Sequence, residues 1–165
     1  MSGNDASKRF EGFGGALNDI RLLLMDLLGL GKPDPEKHMV IEVFFGLMGY
    51  LAKADRLVSS HESNLANVLM DELNLSLAAR HIAMEAFDRG MRKDIHVHAE
   101  LLRFTDVHVA GSPEAVRLHE VLLRLVASDG RLNPNEYDLM KQVGQDLGIP
   151  VEALDAKLDG LTLKR

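Results

Sequence analysis

The sequence predicts an all-α domain of about seven or eight helices, and three observations lead to this class. Apolar residues recur at spacings of three and four along most of the chain, as they do on one face of a helix. Residue pairs that begin helices, such as Ser or Asp followed by Pro, recur between these segments. The alternation that marks a half-buried strand persists nowhere. With 165 residues, 46% of them hydrophobic, the chain is expected to bury one core.

The first predicted helix spans about 13–28 and follows a flexible lead over 1–12, so the single domain is expected to cover 13–165. One face of this helix is apolar and carries Ala16, Ile20, Leu23, Leu24 and Leu27. Gly29 and Gly31 then end it. We expect the apolar face to close the core. The alternative is an exposed stripe that meets a membrane surface, a partner or a second copy of the chain.

The second predicted helix begins at Asp34-Pro35-Glu36 and runs to about Ala54. Asp is a good N-cap residue, Pro suits the first helical position, and Glu suits the positive end of the helix dipole. Nearly every side of this helix is apolar, through Val40, Ile41, Val43, Phe44, Phe45, Leu47, Met48 and Leu51. Such a helix is expected at the centre of the domain.

Capping residues delimit the next two helices. Ser59-Ser60-His61-Glu62 is a capping box that begins the third helix, and Asn74 ends it. Ser76 caps the fourth helix, which is expected to end near Asp88, before Gly90.

The fifth helix, about 96–105, has few core candidates: Leu101, Leu102 and Phe104. Ser112-Pro113-Glu114 begins the sixth helix. The buried face of this sixth helix is expected to carry Val116, Leu118, Val121, Leu122 and Leu125. Asn133-Pro134-Asn135-Glu136 begins the seventh, Gly148 ends it, and Pro150 begins a short eighth helix.

The chain contains an internal repeat. A constant shift aligns the second helix, its turn and the third helix with the sixth helix, its turn and the seventh. The identical residues are Leu51, Asp55, Glu62, Leu65 and Leu73, aligned with Leu125, Asp129, Glu136, Leu139 and Leu147. We therefore expect two helix-turn-helix units related by a pseudo-two-fold axis, with the second and sixth helices in the middle.

Each unit places an Asp in the turn and a Glu at the start of the following helix. The simpler interpretation is capping, because such a Glu accepts from the N-cap backbone and the Asp accepts from turn backbone donors. The alternative is a divalent-cation site for calcium or magnesium, with Asp55, Glu62, Asp129 and Glu136 as oxygen ligands. The spacing is not that of an EF-hand, since Met140 occupies the twelfth position from Asp129.

Other compositional features restrict the function. The absence of Cys excludes disulfides, thiolate zinc sites and a Cys nucleophile. It is compatible with a reducing compartment, and we expect the protein in the cytoplasm. The net charge of −6 and the lack of a basic stripe argue against a nucleic-acid partner. No export signal or membrane-spanning segment is predicted. His96, His98 and His108 do not form a zinc face, because no pair has i, i+4 spacing, and we expect them in solvent or at the core edge.

Two motifs resemble the TerB-like domain family. They are Gly46 to Asp55, followed by Val58, Ser59 and Glu62, and Ala127 to Glu136. Together with Phe87-Asp88-Arg89-Gly90, the resemblance covers about 35–158. Within the family, this sequence most resembles the domain that precedes the J domain in DjlA-type co-chaperones.

The resemblance implies a helical fold with a pseudo-two-fold and a role in tellurite or envelope stress. It also implies that Asp55, Glu62, Asp129 and Glu136 are the positions to test for metal. Arg56 replaces the glycine expected after the first Asp, which makes the first turn the weaker site. The chain holds no His-Pro-Asp tripeptide, so J-domain chemistry is not expected of it.

Three functions remain open on the sequence. The first, which we favour, is a non-enzymatic binding or scaffold module that engages protein partners or a divalent cation. The second is a metal-dependent hydrolase that uses the turn carboxylates, although the Glu-x-x-His pattern of helical carboxylate enzymes is absent. The third is a structural homodimer formed through the first helix.

Overall fold

The fold consists of helices joined by short turns. The computed structural model describes residues 17–29, 32, 34–54, 60–128 and 132–161, with 53–54 and 60–64 described for the backbone course alone. These residues hold eight helices and no strand, which confirms the all-α prediction. The helices are α1 (17–28), α2 (Asp34–Ala54), α3 (Ser60–Glu72), α4 (Leu77–Met91), α5 (Val97–Val107), α6 (Pro113–Val126), α7 (Pro134–Leu147) and α8 (Val151–Gly160).

Local capping determines where the helices begin and end. The Ser76 hydroxyl accepts a hydrogen bond from Ala79 N at 3.1 Å, and Ser112 caps α6 in the same way. Asn74 and Gly148 adopt the left-handed conformation just after α3 and α7, with φ of 51° and 78°. The predicted starts of α4 and α6 and the predicted ends of α3 and α7 are therefore confirmed.

The central helix is α2, which packs against α4, α5, α6 and α7. Its buried side chains include every apolar residue predicted for the interior: Val40, Ile41, Val43, Phe44, Phe45, Leu47, Met48 and Leu51. The prediction that α2 lies at the centre is confirmed. Burying side chains on all sides of one helix is what joins the other helices into one core.

Helix α1 closes this core. Ile20, Leu24 and Leu27 are buried, whereas Leu22 and Met25 on the outer side are about half exposed. Three ion pairs hold α1 against its neighbours, namely Asp19 with Arg124, Asp26 with Arg117, and Arg21 with Glu72. The apolar face of α1 thus lies inside the molecule, as we expected. The predicted lead over 1–12 lies outside the described residues.

Helices α2 and α4 meet backbone to backbone. A Cβ on Gly90 would overlap the carbonyl oxygen of Gly46, and a Cβ on Gly49 would overlap that of Phe87. The prediction that α4 ends near Asp88 is wrong, because α4 continues to Met91. Gly90 is not a helix stop. It is the residue whose missing side chain lets α2 approach.

A carboxylate on α2 connects three helices near this contact. Glu42 accepts hydrogen bonds from Arg89 of α4 at 3.2 Å and from Arg103 of α5 at 3.1 Å. Burial alone would raise the pKa of the Glu42 carboxyl, but the hydrogen bonds and charges of the two guanidinium groups outweigh it and hold the pKa below its usual value. Helix α5 runs to Val107 rather than 105, and its Leu102 is exposed, so the core prediction for Leu102 is wrong.

The helices of the internal repeat are present, since α2 and α3 correspond to α6 and α7. Residues 55–59 and 129–131 of the two turns lie outside the described residues. The pseudo-two-fold relation between the units therefore stays a prediction.

Candidate functional site

The second acidic turn leads into α7, and its described part forms a complete capping box. Glu136 N donates to Asn133 Oδ1 at 2.8 Å, and Asn133 N donates to Glu136 Oε1 at 3.1 Å. Pro134 occupies the first turn, where its missing N–H costs nothing. The predicted capping role of Glu136 is confirmed.

Glu136 differs from an ordinary capping residue in its burial. Only 5% of it is exposed, and carboxylates are rarely so buried unless they are paired. One of its oxygens is fixed on the Asn133 backbone. The carboxylate is thus held in one orientation at the start of α7. Such preorganisation suits either a structural cap or an oxygen ligand.

The other predicted ligands are Asp55, Glu62 and Asp129. Asp55 and Asp129 lie outside the described residues, and Glu62 lies within α3 with its side chain outside them. Among the side chains that are described, no group of three or more His, Asp or Glu could hold a metal ion. The calcium or magnesium site at the acidic turns stays a prediction.

The histidines singled out in the sequence contact neighbouring helices. His98 Nδ1 lies 3.0 Å from Asp146 of α7 on the surface, and His96 is the N-cap residue of α5. His108 is buried, and its Nε2 lies 3.0 Å from Glu36 Oε1 without the alignment of a hydrogen bond. His96 and His98 are exposed, as expected, whereas His108 lies further inside than expected.

The sequence reasoning missed His119, a fully buried residue of α6. Its Nε2 lies 3.2 Å from the carbonyl oxygen of Met140 on α7, and because that oxygen can only accept, Nε2 carries the hydrogen. Burial is the main reason that its pKa is lowered to about 4. A signal was present: Ala115, His119 and Leu122 share one helical face, so helical periodicity places position 119 inside.

Two depressions on the surface adjoin α6, and each has a volume of about 190 Å³. They share Glu120 and Arg124, and the second is also lined by Lys157 of α8. Arg124 donates to Asp19 at 3.0 Å and to Glu120 at 3.2 Å, so its guanidinium already has two carboxylate partners. Both depressions are smaller than the pockets of several hundred Å³ that usually enclose small-molecule ligands.

Exposed apolar side chains mark another part of the surface. Leu77 and Met84 lie seven residues apart on one side of α4, and they are 87% and 53% exposed. Contiguous exposed apolar patches are typical of protein-interaction surfaces, and this side of α4 is a candidate for one. Among the described residues, no helix is both long and apolar enough to cross a membrane.

A family model described as "Tellurite resistance protein TerB" matches residues 42–158. The match contains both predicted acidic turns, α3 to α7, nearly all of α8 and most of α2. Helix α1 lies before it. No solved structure matches the chain.

Curated relatives carry the name "Co-chaperone protein DjlA". The one from Shewanella oneidensis is 31% identical over 130 residues, which are 78% of this chain and 49% of the relative. The one from Vibrio parahaemolyticus is 29% identical over 134 residues, 79% of this chain and 47% of the relative. The one from Yersinia pestis is 34% identical over 106 residues, 64% of this chain and 38% of the relative. The chain thus spans about half the length of the first two relatives, and less of the third.

Proposed function

Because the chain belongs to the TerB family, we propose that it is a non-enzymatic binding module that engages a protein partner in the cytoplasmic response to tellurite or envelope stress. The observation that carries this proposal is the family match, which covers both acidic turns. The relatives named as co-chaperones support a protein partner. The small size of the two depressions beside α6 agrees with a module that binds through its surface rather than enclosing a substrate.

The second acidic turn is the part that we assign to cation binding. A buried, oriented carboxylate at Glu136 supplies a hard oxygen, which suits calcium or magnesium. Asp129 is the second ligand in this proposal, and Asp55 with Glu62 form the corresponding pair of the first turn.

A crossed pair of variants separates ligation from capping. Glu136→Gln keeps an oxygen that can accept from Asn133 N but removes the charge, whereas Asn133→Ala removes the cap and keeps the carboxylate. Calorimetric titration with calcium, magnesium, manganese and zinc should show binding tighter than millimolar in the wild type. The same binding should survive in Asn133→Ala and disappear in Glu136→Gln and Asp129→Asn.

The cation proposal fails if no ion binds the wild-type protein more tightly than millimolar. It also fails if Glu136→Gln binds as well as the wild type, because a charged ligand would then be unnecessary. In either case Glu136 has a structural role alone, and the family assignment is unaffected.

The partner proposal is tested on the exposed face of α4. The double variant Leu77→Ser, Met84→Ser should lose partners that the wild-type protein captures by cross-linking in cells exposed to tellurite. Leu102→Ser on α5 is the matched control, because Leu102 is also about half exposed and lies on another helix. Equal capture by both variants would exclude this face, and growth under tellurite that does not depend on the protein would exclude the stress role.

A further inference from the structure

The imidazole of His119 connects α6 to α7 at a position where α7 has no side chain. The ring lies against Gly144, where an added Cβ would be 3.1 Å from Nε2. Its Nε2–H donates to the Met140 carbonyl, four residues before Gly144 on the same helix. The ring therefore fills the space left by the glycine and also ties the two helices by a hydrogen bond.

This arrangement suits only the neutral ring. The Nδ1 atom is buried and has no hydrogen-bond partner in the described part of the chain. A proton there would add a donor and a charge in an enclosed place, which is costly. The charged groups that act on the ring are Glu120 of α6, which favours the proton, and Lys157 of α8, which opposes it. On α7 the ring meets the uncharged Met140 carbonyl.

We propose that the contact between α6 and α7 is an acid-sensitive joint, which opens when the buried imidazole of His119 takes up a proton. The opened part is α7, which begins with the capping box of Asn133 and Glu136. The contact between α2 and α4 stays closed over the same range, because neither helix buries a histidine among its described side chains and the pKa of Glu42, which ties them, lies below its ordinary 4.5. Acid would thus loosen the packing of α7 on α6 and leave the packing of α2 on α4 unchanged.

The direction of the effect follows from where the proton binds more tightly. His119 has an ordinary pKa of 6.5 when it reaches solvent, and in the closed joint the pKa is about 4. Between these values the open form takes up more protons than the closed form, so opening increases as the pH falls. We expect the open population to rise roughly 30-fold between about pH 8 and about pH 5.

Hydrogen exchange of backbone amides tests this joint directly. Protection factors of α7 amides, corrected for intrinsic exchange, should fall roughly 30-fold over that pH range in the wild type. The variant His119→Gln should lose this pH dependence, since its amide can still donate to the Met140 carbonyl and does not titrate in this range. His98→Gln is the control, because His98 is exposed and its loss should leave the dependence intact.

Two results would overturn the proposal. One is a loss of protection that is equal in α4 and α7, which would indicate global unfolding rather than a joint. The other comes from nuclear magnetic resonance of the wild-type imidazole, which needs no variant: proton uptake by His119 centred near pH 6.5 would show that the ring is not held neutral by the fold.

Discussion

Two helix pairs in the described part of the molecule are built on different principles. Helices α2 and α4 touch through backbone at Gly49 and Gly90, with no room for another atom. Helices α6 and α7 meet through side chains, including a buried imidazole and a glycine that accommodates it. The first contact depends on the absence of side chains, and its glycines carry no group that titrates. The second depends on a polar side chain and on its protonation state.

The largest change in the free energy of unfolding is expected at the backbone contact between α2 and α4. Gly90→Ala places a methyl group on the Gly46 carbonyl and should lower the free energy of unfolding by about 3 kcal/mol or more. Gly46→Ala is the matched control, because its Cβ would meet Ile95 and Ala86 at ordinary distances of 3.6 and 3.7 Å. That control should be neutral or should stabilise α2 by up to about 1 kcal/mol. Urea denaturation measures both, and equal destabilisation would disprove the distinction.

The next largest loss of stability is expected when Glu42, the carboxylate that ties α2 to α4 and α5, is removed. Glu42→Ala leaves Arg89 and Arg103 without their shared acceptor, and we expect a loss of about 1 to 2 kcal/mol near neutral pH. Because folding lowers the pKa of Glu42, its contribution is present above the ordinary value of 4.5 and is lost as the pH falls further. The difference between variant and wild type should therefore shrink in acid, where a constant difference would contradict the ion-pair origin. Glu100→Ala is the control, because it removes an ion pair with Arg103 that lies within α5. It should lower the free energy of unfolding by less than about 0.5 kcal/mol.

A smaller loss of stability is expected when the N-cap of α7 or the N-cap of α4 is removed. Asn133→Ala should lower stability by about 1 kcal/mol, and Ser76→Ala at the start of α4 should have a similar cost. The Asn133 variant should also expose α7 amides to exchange, whereas the Ser76 variant should affect α4. Thermal unfolding and hydrogen exchange test this, and identical exchange patterns would show that the two halves open together.

The smallest effect is expected between α7 and α8. The Tyr137 hydroxyl donates to Asp155 Oδ1 at 2.8 Å, and Tyr137→Phe should cost about 0.5 to 1 kcal/mol. Tyr50→Phe on α2 should change stability less, since the Tyr50 ring, over which Lys93 lies at 5.4 Å, is retained. Denaturant midpoints of the two variants measure the difference. A larger loss in Tyr50→Phe would indicate an additional role for its hydroxyl.

The sequence predicts features that depend on neighbouring residues and misses those that depend on distant ones. Ser76, Asn133 and Gly148 delimit helices through contacts within one turn, so their roles are visible in the chain. Gly90 was misread as a stop because its role depends on α2, some forty residues away.

The same distinction holds for the candidate site. The capping role of Glu136 follows from its spacing to Asn133, whereas its near-complete burial depends on the packing of the whole bundle. His119 shares a helix face with Leu122, which was predicted to be buried, but only the packing of α7 shows why a polar ring is tolerated there. The cation site belongs to the predictions that still depend on experiment.

The position of α1 also affects how fragments of this protein should be designed. The family match begins within α2, yet α1 covers the core with Ile20, Leu24 and Leu27. A fragment trimmed to the matched boundaries would bring the surface beneath these side chains into water, together with Arg117 and Arg124 stripped of their α1 carboxylates. Such a fragment is expected to self-associate and precipitate, so recombinant versions should start before residue 17.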